Sequence, residues 1–393
     1  MALFRVDFFE YDRYNRTLTN THHDMVEDPV IDDDYIAVNT SSIDIQPTDL
    51  VSTGQFISLK GEYDFFGVVS SVSTKKTATT VSFKPFISVF DDDVLFNVKL
   101  QGRGTRSLES VLTELINKYY IYGAATDPDM TSYCTDRLQC LPLVIASSSS
   151  TTTWGFNLKP DVEGKNWCKC NLYNVILVDA LKKYGIALTV TPHFHDTITI
   201  NGNSYHGYFT VQIGKPSVGL YRINANLDGV EVDTLQVEEK DGVVNKLIVF
   251  DTRNYLFSRA IYYYVHPDKT YSAHTATETI TNRITPVVRR IESVSPEEET
   301  LEDGTVISAD DMFILEAMDV AASNLSGLEW ANLIELSSYA TNTLVDPVGL
   351  PIGQLVEIFY RGNTYKSILT GKRYDTAVTL TFGSERILFT KRR

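Results

Sequence analysis

"GQFISLKGEYDFFGVVSSVSTKKTATTVSF", residues 54–83, returns in altered form as "GQLVEIFYRGNTYKSILTGKRYDTAVTLTF", residues 353–382. At a constant spacing of 299 residues, Gly54/Gly353, Gln55/Gln354, Thr77/Thr376, Ala78/Ala377, Thr80/Thr379 and Phe83/Phe382 are identical. In both stretches β-branched and aromatic residues alternate with polar ones between turn residues, the pattern of successive strands. Two readings fit: hairpins that share a Thr-rich composition, or an internal duplication. We read a duplication, with two related β units near the two ends of the chain, flanking its middle.

Outward from these units, residues 35–100 read as strands, closed by "SVFDDDVL" and "QGRGTRS". Ser107 is placed to cap a helix running through Tyr120, because Leu108, Val111, Leu112, Leu115, Ile116 and Tyr119 recur at helical spacing. Leu172–Tyr184 fits a second helix, with Gly185 as its stop. "ASSSSTTTWGF" (146–156) is a loop or an edge strand, and strand signals resume at Ile186. A third helix is predicted from about Asp310 to Asn324, with Met312, Leu315, Ala317, Met318 and Ala322 on its apolar face. The expected fold class is mainly β with some α (α+β), in several domains: 1–105, 106–235, 236–328 and 329–393.

With 393 residues the chain is too long for one ordinary core. No stretch approaches the roughly 18–20 apolar residues of a membrane helix, and the N-terminus lacks the apolar run of a secretory signal. A formal charge of −15 argues against general nucleic-acid binding, which draws its affinity from Lys and Arg on phosphates. Cys134, Cys140, Cys168 and Cys170 lack the paired C-x2-C spacing of zinc ribbons and read as ordinary reduced thiols.

No nucleophile elbow, H-E-x-x-H or phosphate-binding loop is present, so no catalytic residue and no cofactor is predicted. His193 and His195, with Asp196 or His206, could in principle hold a metal on one strand face, yet a half-exposed strand is the preferred reading. His22 and His23 point to opposite faces of a strand, and the triplets Asp32–Asp34 and Asp91–Asp93 lack the Gly and Glu of a calcium loop and read as solvated turns. The Tyr clusters at 119–122 and 262–264 suit a core or a subunit contact.

The order of "GQFISLKGEYDFFGVVSSV", the helix from Ser107, "NLYNVILVDALKKYGIALTV", "VNKLIVFDTRN" and the closing "LTGKRYD..VTLTFGSER" resembles the baseplate hub, or Tal-like tail-tip, proteins of long-tailed phages. The resemblance implies two tube-type β barrels flanking middle α/β domains, in a homotrimer that caps the distal end of the tail tube. It implies docking on a distal tail protein hexamer, neighbours among the tape-measure and receptor-binding proteins, and opening for DNA that passes without specific binding. Assembly in the host cytoplasm and a place in the virion at the tail tip follow from it. Relatives often continue into a hydrolase segment, whereas this sequence stops at Arg393, so a non-enzymatic structural role is expected. A trimer with two similar barrels per chain presents six units to a six-fold tube, and an acidic lumen would let DNA slide.

Two other readings stay open, a host-glycan-binding module using Trp154, Trp167 and the Tyr clusters, and a cell-wall hydrolase. In the gapless alignment Lys372 and Arg373 fall opposite Ser73 and Thr74, beside the turn carrying Lys75 and Lys76. Positive hairpin tips are therefore expected in both units, with Lys75, Lys76, Lys372 and Arg373 as contacts to an acidic neighbour. Lys391, Arg392 and Arg393 have no counterpart in the repeat.

Overall fold

The computed structural model describes residues 2–97, 107–121, 141–146, 161, 167–200, 202–216, 219–237, 244–254, 256, 259–266, 271–275, 280, 287–300, 306–325 and 332–383. Cys134, Cys140, Trp154, most of the Ser/Thr run and the basic ending lie outside them.

In chain order the elements are β1 (Leu3–Asp12), β2 (Thr17–Glu27), β3 (Ile31–Asp34), β4 (Ser41–Ile45), β5 (Phe56–Lys60), β6 (Phe65–Thr74), β7 (Thr79–Pro85) and β8 (Asp93–Asn97). There follow α1 (Leu108–Ile116), β9 (Leu143–Ile145), β10 (Trp167–Asn171), α2 (Val178–Tyr184), β11 (Ala187–Ile200), β12 (Asn203–Gly214), β13 (Tyr221–Asn224) and β14 (Glu231–Val237). Next are β15 (Lys246–Asp251), β16 (Ile261–Val265), β17 (Tyr271–His274), β18 (Arg289–Val294), β19 (Glu299–Thr300), β20 (Val306–Ile307) and α3 (Ala309–Leu325). The last four strands are β21 (Asn332–Ser338), β22 (Leu355–Tyr360), β23 (Asn363–Asp375) and β24 (Ala377–Phe382). The fold is mainly β, α+β and multi-domain, as expected.

The duplication is visible in the strand pairing. One sheet contains the order β5-β6-β7-β4 and another the order β22-β23-β24-β21, so each unit is a strand, a loop and two hairpins that return to the first strand. Gly54 and Gly353 both have positive φ, 89° and 85°, and both open the unit after a turn. Their N–H groups donate to the carbonyls of Val69 and Leu369, and the Val69 and Leu369 N–H groups donate back to Gln55 and Gln354. A bulge follows at the same place in each copy, between Val69 and Ser71 and between Leu369 and Gly371.

These equivalences correct the gapless alignment. Val69 matches Leu369 at a spacing of 300, whereas Gly54/Gly353 and Phe83/Phe382 keep 299. The added residue enters between β22 and β23, where Arg361 and Gly362 both take positive φ, 48° and 81°, in a two-residue hairpin turn. It is removed at the next turn, where Tyr374 pairs with Val378 while Thr74 pairs with Thr79. The middle strand is thus one residue out of the expected register, and a slip of one moves every side chain to the other face.

Both units feed one core. Phe4, Val6, Phe8, Ile57, Leu59 and Phe83 pack in a single cluster with Ile334, Leu336, Ile358, Leu369, Tyr374 and Phe382. The ends of the chain are therefore fused, not held apart by the middle. β4 also turns back towards β2, where the Gln46 N–H donates to Asp24 Oδ2 (2.7 Å), although no backbone ladder joins these strands among the described residues.

A second cluster packs α1 and α2 against β12 and the outer face of the first unit, with Phe56, Phe86 and Phe209 at its centre. Ser107 caps α1 by accepting from the Ser110 N–H (3.2 Å), and Gly185, at φ 68°, ends α2. In the third region α3 lies on β15 and β16; Met312 and Ala317 are buried as expected, but the stripe that packs on the strands is Phe313, Ala317, Ala321 and Leu325, while Leu315 and Met318 are half-buried. Tyr262, Tyr263 and Tyr264 are all buried on β16, on its two faces. Strand pairing also redraws one expected border: β13 pairs with β22 and β14 with β21, so residues 221–237 belong to the C-terminal sheet. Among the described residues no helix is long and apolar enough to cross a membrane.

Candidate functional site

A densely bonded polar region is the seam where β3, from the N-terminal segment, adds to β23 of the C-terminal unit. Ile31, fully buried, anchors β3 in the common core. Its register sets Asp34 against Gly371, Asp33 against Lys372 and Asp32 against Arg373. The acidic triplet is therefore a paired strand and not the solvated turn expected from its composition.

Asp33 accepts from the Tyr63 hydroxyl at 2.7 Å. Burial pushes its carboxyl above the usual carboxylate range, opposed by that hydrogen bond and by the Lys372 charge. Lys372 is 8% exposed, and its Nζ donates to the Val348 carbonyl at 2.5 Å. Burial lowers its pKa to about 8, opposed by Asp33 and Asp346. Both members of this facing pair are thus pushed towards neutrality. Tyr374 completes the seam, with its ring edge-on to Phe4 at 5.2 Å and its hydroxyl donating to Glu62 at 3.3 Å.

Asp34 and Tyr35 tie the seam to the rest of the chain. Asp34 Oδ1 accepts from the N–H groups of Ile36 (2.7 Å) and Ala37 (2.9 Å), and Gly371 leaves it room: a Cβ there would sit 2.7 Å from Asp34 Cγ. The Tyr35 N–H donates to the Thr370 carbonyl (3.0 Å), and the Tyr35 hydroxyl accepts from the Leu188 N–H (3.1 Å). Tyr173 in turn donates to the Tyr35 carbonyl (2.7 Å). One residue thus joins the N-terminal segment, the C-terminal unit and the helical insertion. Beside it a cleft of about 270 Å³ opens, lined by Asp33, Asp34 and Asp64 together with aromatic and aliphatic side chains.

The four cations expected at hairpin tips separate. Lys75 and Lys76 are exposed in the turn between β6 and β7. Lys372 and Arg373 lie within β23, ahead of its turn, with Lys372 facing inward and Arg373 exposed, 3.7 Å from Asp375. The slip in register is the reason: Lys372 takes the place of Val72, not of Ser73. The C-terminal tip is accordingly not a copy of the Lys75–Lys76 tip. A gap pair that aligns Val68 and Val69 with Ile368 and Leu369 is the signal that would have located Lys372.

Other candidates resolve into local bonding. His193 meets Asp196 (3.2 Å) and Thr210 (3.0 Å), and His206 meets Thr197 (3.1 Å). The strand alternation expected to align His193 with His195 is broken by an irregularity between His193 and Thr197. Asp91 accepts from Asn171 and Asn174, Asp93 pairs with Lys169 at 2.6 Å, and Cys168 and Cys170 are buried free thiols on β10. Among the described residues no three His, Cys, Asp or Glu side chains converge as a metal site.

No family model matches the chain, and no curated protein matches it. Among solved structures it is similar to a chain of the phage p2 virion baseplate in its activated conformation, with 11% identity, 98% of this chain and 100% of that chain covered, and a TM-score of 0.46. It is also similar to the tail protein from Neisseria meningitidis MC58, with 11% identity, 97% of each chain covered and a TM-score of 0.42. A third likeness is to the prophage MuSo2 43 kDa tail protein from Shewanella oneidensis, with 9% identity, 97% of this chain and 98% of that chain covered, and a TM-score of 0.40.

Proposed function

We propose that the protein is a structural baseplate hub of a long-tailed phage, a homotrimer that caps the distal end of the tail tube and gates DNA release. The observation that carries this reading is the duplicated four-strand unit, fused through one core and one added strand. Three such chains present six related units, which suits contact with a six-fold ring of distal tail protein. The order of sequence segments that resembles tail-tip hubs supports it independently. Fusion of the two units through β3 gives each subunit a stiff base, so opening would proceed by rotation between subunits. The charge of −15 suits a conduit that DNA traverses without being held. Tape-measure and receptor-binding proteins are the further neighbours, Lys75, Lys76 and Arg373 remain exposed for such contacts, and no catalytic step is assigned. Light scattering tests the assembly, with an expected mass of three times 44.2 kDa. Immunogold labelling of intact virions tests the place, and a label away from the tail tip would overturn the reading.

A further inference from the structure

We infer that the cleft beside Asp33 and Asp34 receives one lysine or arginine side chain of a partner protein. The cleft holds about 270 Å³, space for a long side chain but not for a folded segment. Its lining includes Phe66 and Phe86, whose rings stack at 5.0 Å, together with Val190 and Pro192. The methylene stem of Lys or Arg packs well on such apolar side chains while its head meets the carboxylates, and a guanidinium also stacks on aromatic faces.

Charge selects the occupant. The lining holds Asp34 and Asp64, besides Asp33 whose carboxyl burial pushes towards neutrality, against one cation, Lys60, which already pairs with Asp64 at 2.7 Å. An anion would be repelled there, and a wholly apolar group would strip water from carboxylates without replacing it. The position adds weight, because the cleft lies where the first unit, β11 and the loop carrying Ile352 meet, and ligand sites favour such junctions. This inference does not depend on which assembly the protein joins.

Benzamidine, a planar cation on an apolar ring, is the probe, with neutral benzamide as its match in shape. Calorimetry on the full chain should show benzamidine binding on the order of tenfold tighter than benzamide. Asp64→Asn, which releases Lys60 as an extra positive charge, should weaken benzamidine about two- to fivefold. Val190→Arg, which supplies a guanidinium within the cleft, should abolish binding while circular dichroism shows the fold retained. Equal binding of the two probes, or equal benzamidine binding in all three proteins, would overturn the inference.

Discussion

Asp33 and Lys372 face each other across the ladder between β3 and β23, so the two ends of the chain meet at a carboxyl and an ammonium that burial pushes towards neutrality. Their sequence separation makes this a contact that only the folded chain can form.

Removing one partner should hurt more than removing both. Lys372→Met or Asp33→Asn alone leaves the other group poorly compensated and should cost about 1–3 kcal/mol in urea unfolding. The double variant should recover part of that loss. Additive losses would show that the pair is not coupled.

Alkaline pH should stabilise the native protein relative to Lys372→Met. The Lys372 pKa is about 8 when folded against 10.5 for an ordinary lysine, so between these values the unfolded chain holds a proton that the folded chain has released. Stability therefore rises with pH through this window, by at most about 3 kcal/mol, and is lost again as pH falls through 8. Unfolding midpoints of both proteins at pH 7, 8, 9 and 10 measure the difference, which should grow in favour of the native protein.

Gly371→Ala should destabilise by about 1–3 kcal/mol, because the new methyl would meet Asp34 Cγ and Oδ2 at 2.7 Å and its Cα at 3.1 Å. Gly219→Ala is the control, since nothing lies within 4 Å of a Cβ there. Thermal unfolding of the two variants should separate them clearly.

Tyr35→Phe removes the acceptor of the Leu188 N–H and leaves that buried donor unpaired. A loss of about 1–3 kcal/mol is expected. Limited proteolysis reports the consequence: if Tyr35 fastens the helical insertion to the end units, cleavage between residues 185 and 220 should quicken in the variant.

Many of the strands from the first repeat onward, the three helices and the paired 54–83 and 353–382 segments were legible in the sequence, because alternation and capping are local and survive divergence. The helix stop at Gly185 and the cap at Ser107 are of this kind. The seam was not legible. Asp32–Asp34 has the composition of a turn, and nothing within four residues announces that a distant strand will pair with it. Lys372 looked like a solvent-facing cation because a gapless alignment set it against Ser73, whereas two turns of different length shift β23 by one position and turn that side chain inward. Sequence alone determined most of the strands after residue 35, the helices, and that two of the strand-rich segments are copies, but not the N-terminal strands β1 to β3. Tertiary structure decided which faces are buried and that the copies share one core, since register and strand addition depend on loop lengths and on partners some 300 residues away.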